Sequence, residues 1–496
     1  MQKIIKVSDF DSLRASLCKF EPLPKIVHCH GVFDVLHFGH LNYFKEAKKH
    51  GQRLIVTVTS DRYVNKGPGR PHFSEKIRAQ MLSELSIVDY VAISDFPTAL
   101  EVIEKLKPDF YVKGPDYRDH TKDVTGEIKN EVQAVESYGG KVVYTSGETF
   151  SSSQLINKFM STWSDDQLDM INTAKELGGI ERIEAILKGL AKLKVTVTGE
   201  PILDVYRFCE PQNISSKSPS ISAKFLYEET YAGGVLAIAN HLADFVDEVK
   251  LVTTVGSGNI LKGLLDSRIK TEIIIVPHRT PRKTRYIAID KSQRIFEITD
   301  CPDNQWENRK PGDFIYAMKD SALKADQLII ADFGHGLFEG QVLECLQWVK
   351  TPIALNVQTN SSNYGFNRIS KHFNYSYLSL DLREARLDYN KRDMNPKEIV
   401  EDLLKDKGRA YSLTLGKNGS YFKNNFSPAF ADQVVDATGA GDAYFAITSL
   451  LTRVDCPEEL IPFIGNVYAG LKTKVIGNKQ AITKAQLLKA LTGILK

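Results

Sequence analysis

A chain of 496 residues is too long for one ordinary domain, and at roughly 150 residues per domain it predicts two or three. Apolar residues at 42% and charged residues at 25% describe a globular protein, and a net charge of +3 argues against a nucleic-acid coat while leaving room for small anionic substrates. Six cysteines at positions 18, 29, 209, 301, 345 and 456 form no CxxC pair, no apolar run reaches about 18 residues, and the first residues carry no signal-peptide pattern. The expectation is a cytoplasmic enzyme with reduced thiols and neither a nucleic-acid nor a membrane partner.

Short apolar or β-branched runs come first, at Lys25–Cys29, Leu54–Thr59, Tyr90–Ile93, Phe110–Lys113 and Lys141–Tyr144. Helix-like stretches separate them at Leu41–His50, Ser74–Leu85, Pro97–Leu106 and Gly126–Tyr138. This alternation predicts a parallel sheet covered on both faces, with its active site at the carboxyl ends of the strands. The first run leads into His37-Phe-Gly-His40. Two histidines three apart on the opening turn of a helix share one face. The helix start adds N–H groups and a positive dipole end, and Gly39 lets a phosphate approach the backbone closely. Such a site can hold a nucleoside triphosphate and stabilise charge as its α-phosphate is attacked. His28, Cys29 and His30 could suggest a metal. Alternation at a strand end puts Cys29 on the opposite face from both histidines, so no metal site is expected.

Further along, Lys66-Gly-Pro-Gly-Arg-Pro71 is a turn whose Lys66 and Arg70 suit a polyphosphate clamp, and Arg78 on the next helix is placed to reach the same anion. Phe150-Ser-Ser-Ser-Gln154 offers hydroxyls and N–H groups at a helix start.

Together with Gly31-Val-Phe-Asp34 and Lys113-Gly-Pro-Asp-Tyr117, these segments resemble the HxGH nucleotidyltransferases, which include glycerol-3-phosphate cytidylyltransferase and the adenylyltransferase of ADP-heptose synthesis. The resemblance covers roughly residues 22–160. It implies a Rossmann-like domain in which His37 and His40 stabilise the transition state. Gly31, Phe33, Lys66, Arg70, Arg78, Ser151 and Ser152 would hold nucleotide and phosphates; Asp34, Lys113 and Asp116 would hold the sugar. Mg²⁺ would accompany the triphosphate. Pro115 replaces a glycine of the heptose enzymes and stiffens that loop.

After this block, Asp169–Leu177 and Arg182–Leu193 read as helices with Gly178-Gly179 between them, and are expected either as a connector or as a helix packed on the first domain. A second α/β block begins at Val195–Gly199 and continues through Lys250–Val255, Glu272–Val276, Gln327–Asp332, Thr351–Asn356 and Tyr411–Leu415. Ser220–Phe225 and Arg285–Ile298 look like extended pieces outside the main sheet, suited to a small β lid. Expected boundaries are 1–160, 161–193 for the connector, and 194–496. In Asp436-Ala-Thr-Gly-Ala-Gly-Asp442, glycines after a strand and before a helix form an anion-binding nest, and Asp442 is placed to take a proton from an attacking hydroxyl.

That segment resembles the D-T-x-G-A-G-D signature of ribokinase-type (PfkB) sugar kinases. On this resemblance Asp442 is the catalytic base. Asp204, Gly233 and Gly234 contact the sugar. Thr414, Gly416, Gly419, Gly439, Ala440, Gly441 and Asn466 lie on the nucleotide and phosphate side. Asn213-Ile-Ser-Ser-Lys-Ser-Pro219 is similar to a segment of heptose-7-phosphate kinases. The chain departs from them at Ala237, where an asparagine is usual, and at Asn356-Val-Gln358, where Asp-Pro-Lys is usual.

The whole chain resembles the bifunctional heptose kinase/adenylyltransferases of ADP-heptose synthesis with the two domains in reverse order. The resemblance implies two α/β domains, sugar phosphates and ATP or CTP as substrates, and a homodimer. Two alternatives stay open: a CTP-dependent cytidylyltransferase for a polyol or other sugar phosphate, and a second half that is a diverged or non-catalytic pseudokinase.

Overall fold

A computed structural model describes residues 3–17, 19–64, 70–115, 128–146, 163–214, 221–256, 260–289, 293–301, 306, 310–360, 363–406, 408–431 and 434–495. The chain forms two compact units, Met1–Trp163 with Leu488–Lys496, and Ser164–Leu487.

In the first unit six strands, β1 (Ile4–Ile5), β2 (Ile26–Gly31), β3 (Arg53–Thr59), β4 (Tyr90–Ser94), β5 (Phe110–Lys113) and β6 (Lys141–Tyr144), form one sheet in the order β1-β4-β3-β2-β5-β6. Every pairing in it is parallel. The β-branched run of β3 is buried on both faces, as a parallel sheet covered on both sides requires. Period-two alternation divides the core: Val27, Cys29, Leu54, Val56 and Val58 pack on one side, Ile26, Ile55 and Ala92 on the other. The strand order reverses between β2 and β5, and a crevice opens at such a point beyond the carboxyl ends. The two-residue β1 and the helix Phe10–Leu17 are absent from the sequence expectation; two residues are too few to show a pattern.

The second unit holds β7 (Lys194–Gly199), β8 (Pro201–Ile214), β9 (Ile221–Gly234), β10 (Glu248–Val255), β11 (Lys270–Ile275), β12 (Arg282–Ala288), β13 (Gln293–Asp300), β14 (Gln327–Asp332), β15 (Ile353–Val357), β16 (Tyr377–Asp381), β17 (Ala410–Thr414), β18 (Ser420–Phe422) and β19 (Asn425–Ser427). Nine of them form the main sheet in the order β11-β10-β7-β14-β15-β16-β17-β18-β19. It is parallel from β11 to β17, and its last two pairings are antiparallel. The other four form a separate sheet, β13-β12-β8-β9, which is the lid. Arg285–Ile298, expected as one extended piece, is an antiparallel pair, and β8 adds a strand that the sequence reading lacks. Pro211 argues against a strand there, because it cannot donate to a ladder. Strand β12 pairs with β8 only over Leu203–Cys209, so Pro211 lies beyond its reach.

The helices Asp165–Glu176 and Gly179–Leu190 belong to this second unit, with Met170, Ile171, Ile183, Ile186, Leu187 and Leu190 buried. A capping box of Ser164 and Gln167 starts the first at Asp165, ahead of its apolar pattern. The helix Ala440–Leu451 is buried from Asp442 to its end, so the carboxylate at its start is held by a rigid element.

Candidate active sites

In the first unit, the chain leaves β2 at Gly31 and folds Phe33 back over it in the left-handed region, φ 50°. A Cβ on Gly31 would stand 3.1 Å from the Phe33 ring, so the ring lies close over that glycine. The Phe33 ring packs on Phe44 and meets His40 edge-on at 5.5 Å. His37 caps the helix Phe38–Lys48: its Nδ1 accepts the Gly39 N–H at 3.1 Å. With Nδ1 an acceptor, the neutral imidazole carries its proton on Nε2, a donor suited to a phosphate oxygen. The rings of His37 and His40 stack 3.9 Å apart, on one face as the spacing requires. Across the reversal point, Tyr43 donates to the Val112 carbonyl of β5 at 2.5 Å.

Asp34, expected at the sugar, is engaged elsewhere. Its carboxylate accepts N–H groups of His72 at 2.7 and 2.8 Å and of Phe73 at 3.0 Å, with Arg70 3.6 Å away. It anchors the far end of the basic loop. Arg78 is corrected more sharply. It is 0% exposed and donates to the carbonyls of Phe73 (2.8 Å), Val32 (2.6 Å) and Thr59 (2.9 Å) and to Asp61. The helix Glu75–Ser83 turns it under the strand ends, where it braces loops instead of facing an anion. Lys113 is buried at the end of β5 and paired with Glu131 at 2.7 Å. His28 and His30 both bond the Thr57 hydroxyl at 2.8 Å, while Cys29 is wholly buried in the core on the other face. Burial pushes the Cys29 thiol up to about 12. Lys66, Asp116, Ser151 and Ser152 lie outside the described residues.

In the second unit, Gly439 caps the helix Ala440–Leu451 at φ 78°, and a Cβ there would meet Asn478 Oδ1 at 2.3 Å. A Cβ on Gly441 would meet nothing within 4 Å, which leaves space over the helix start for a phosphoryl group. Asp436 holds the loop from below, accepting N–H from Thr438 at 2.9 Å and Gly477 at 2.8 Å and the Tyr206 hydroxyl at 3.2 Å. Lys472, 0% exposed, donates to the carbonyls of Thr438 (2.9 Å) and Gly477 (2.6 Å). Asp442, 8% exposed, accepts from Gln358 Nε2 at 2.6 Å. Burial pushes its carboxyl up to about 6, with Asp204 adding to the rise and Gln358 and Lys472 opposing it.

Asp204 on β8 takes Arg285 of β12 at 2.5 Å and Asn478 at 3.5 Å. A Cβ on Gly233 would stand 2.6 Å from Asp204 Oδ2, and one on Gly234, at φ 58°, 2.4 Å from the Glu200 carbonyl. A Gly234→Ala variant should therefore lose at least about 1–2 kcal/mol, the cost of a left-handed non-glycine residue, in the transition that unfolds this unit in urea. Glu200 is buried and accepts N–H groups of Phe333 (2.9 Å), His335 (3.2 Å) and Leu337 (3.2 Å). Thr414, Gly416 and Gly419 lie at the end of β17 and in the turn beyond it, and Ala440 opens the helix. Asn466, expected beside the nucleotide, is buried. It donates to the Ser427 and Pro428 carbonyls at 2.8 and 3.1 Å and accepts from Ser420, so it pins the β18–β19 hairpin.

Sequence reasoning missed Lys472, Asn478 and Arg285, and marked Gln358 only as part of a departure from the heptose kinases. Among the described residues no group of three or more His, Cys, Asp or Glu is placed to hold a metal ion.

Residues 28–159 match the cytidylyltransferase-like family model, and residues 192–461 match that of the pfkB family carbohydrate kinases. The bifunctional protein HldE of Syntrophotalea carbinolica is 44% identical over 119 residues, 24% of this chain and 23% of that protein. HldE of Helicobacter pylori (strain G27) is 42% identical over 144 residues, 28% of this chain and 29% of its own. The matched region is thus about a quarter of the length of these relatives. Phosphofructokinase-2 of Escherichia coli, solved with substrates and products, shares the fold at TM-score 0.50 and 13% identity, over 61% of this chain and 100% of that one.

Proposed function

This chain belongs to the pfkB family of carbohydrate kinases, and from that premise we propose that its two domains, near residues 1–160 and 194–496, carry two steps in making a nucleotide-activated sugar, ADP-heptose. In the kinase step, a heptose 7-phosphate is phosphorylated at C1. The C1 hydroxyl oxygen attacks the γ-phosphorus of ATP, its proton passes to Asp442, and ADP leaves. N–H groups of the Gly439–Gly441 turn neutralise the phosphoryl group in flight. A separate phosphatase would remove the 7-phosphate. In the transfer step, an oxygen of the sugar 1-phosphate attacks the α-phosphorus of ATP and pyrophosphate leaves. The nucleophile is already an anion, so His37 and His40 need only position and neutralise.

One observation carries this reading: His37 and His40 stack at a helix start in one unit, and Asp442 is buried in the first turn of a helix in the second. The resemblance of the chain to the bifunctional heptose kinase/adenylyltransferases favours heptose and ATP over a polyol and CTP. Full-length protein should be offered a panel of sugar phosphates with ATP or CTP and assayed for ADP and for pyrophosphate. ADP formed with a heptose 7-phosphate, and pyrophosphate with a heptose 1-phosphate and ATP, is the expected result. Pyrophosphate from CTP alone, with no ADP from any sugar, would move the assignment to a cytidylyltransferase joined to a pseudokinase.

Among the described residues no helix is long and apolar enough to cross a membrane. We place the enzyme in the cytoplasm, where its nucleotides are. The lid exposes Phe225 (56%), Phe296 (49%) and Ile298 (51%), and we place the homodimer interface there. Light scattering should give about twice the chain's 55.6 kDa; a monomer at micromolar concentration would remove the interface.

A further inference from the structure

Asn356-Val-Gln358, where the chain departs from its heptose-kinase relatives, leads directly to Asp442. Asn356, at the end of β15, is buried, and its Nδ2 donates to the Ser379 carbonyl on β16 at 2.9 Å. That bond settles which way the Asn356 amide points: its Oδ1 faces Gln358, whose Nε2 donates to it at 2.8 Å. The same Nε2 donates its other proton to Asp442 Oδ1 at 2.6 Å. Backbone bonds hold Gln358 in place: its N–H donates to the Asp332 carbonyl at 2.8 Å, and its own carbonyl accepts from Asn367 at 3.0 Å. A carbonyl on one strand thereby sets two successive amides, and the second presents a donor, not an acceptor, to the carboxylate.

We propose that Gln358 is a positioning residue for the kinase step: its amide, oriented by Asn356, occupies one oxygen of Asp442 and leaves the other to receive the proton of the substrate hydroxyl. This rests on Asp442 being the base. A neutral donor favours the ionised carboxylate without pairing it so tightly that it ceases to be basic. The charged groups acting on Asp442 from other elements are Asp204 of β8, Lys283 of β12, Lys472 of the helix Leu460–Lys472 and Glu384 of the helix Leu382–Asp388. None of these is altered by changing Gln358. On this view Asn356 and Gln358 replace the usual strand end with a working one and are no mark of a pseudokinase.

The test compares full-length wild type with Gln358→Leu, Gln358→Glu, Gln358→Lys and Asn356→Ala. Two quantities are read: the acid limb of kcat/KM for ADP formation, and the carboxyl titration of Asp442 by NMR on ¹³C-aspartate protein, assigned by its loss in Asp442→Asn. Gln358→Leu removes the donor and Gln358→Glu adds a like charge, so both midpoints should rise, by about one pH unit or more for Glu. Gln358→Lys restores a donor with positive charge and should lower them. Asn356→Ala, which frees the amide to turn, should shift them upward less than Gln358→Leu does. A Gln358 that merely supports the fold would lower turnover in every variant without moving the midpoint; that result, or shifts of one sign throughout, overturns the proposal. If the wild type forms no ADP with any sugar phosphate, the kinase reading fails, and the carboxyl titration still decides whether Gln358 governs Asp442.

Discussion

Replacing His40 with Ala should lower nucleotidyl transfer by on the order of 10²–10³, the range for loss of one preorganised donor at a developing charge. Two features make the effect specific. His40 stacks on His37 at 3.9 Å and meets the Phe33 ring at 5.5 Å, so its imidazole is fixed before substrate arrives. His37 also caps the helix, so removing it would disturb both helix and site, whereas His40 lies within the first turn and can be truncated with less damage. Steady-state pyrophosphate release with saturating ATP and sugar 1-phosphate measures the loss. An unchanged rate in a folded variant would remove His40 from the chemistry. ADP formation by the kinase unit should stay at the wild-type level.

The second large effect is at Asp442. Asp442→Asn keeps the shape and removes the proposed base, so ADP formation from ATP and a sugar phosphate should fall to background, while nucleotidyl transfer on a supplied sugar 1-phosphate continues. The wild type should also show an acid limb. Burial, helped by Asp204, raises the Asp442 carboxyl to about 6. Kinase kcat/KM should therefore fall as pH drops through that value, because the base becomes protonated. An Asp442→Asn enzyme as active as wild type would place the base elsewhere and undo the account of the Gly439–Gly441 turn.

What the sequence made legible was contiguous. His37 to His40 and Asp436 to Asp442 are short runs whose spacing states their geometry, and the structure sets both at helix starts. Alternation of apolar runs read the first sheet nearly strand for strand, and it placed Cys29 correctly away from His28 and His30. What failed to show was pairing between distant segments. Gln358 meets Asp442 across 84 residues and Asn478 meets Asp204 across 274, and no local pattern marks either. Arg78 and Asn466 carry groups suited to a nucleotide, but burial among backbone carbonyls engages those groups in holding loops. Asp34 went the same way, bound to the N–H groups of His72 and Phe73. In the lid, β8 was hidden by Pro211, which the ladder tolerates because β12 ends before reaching it.

The central claim is that one chain both phosphorylates a sugar phosphate and activates the resulting sugar 1-phosphate. The most direct measurement is mass spectrometry of the products when full-length protein, ATP, a heptose 7-phosphate and a separate phosphatase are incubated together. The account predicts ADP-heptose, with ADP and pyrophosphate released in equal amounts and ADP-heptose lost in either His40→Ala or Asp442→Asn. Absence of any nucleotide-heptose, beside a CDP product from CTP and another phosphate, would contradict it.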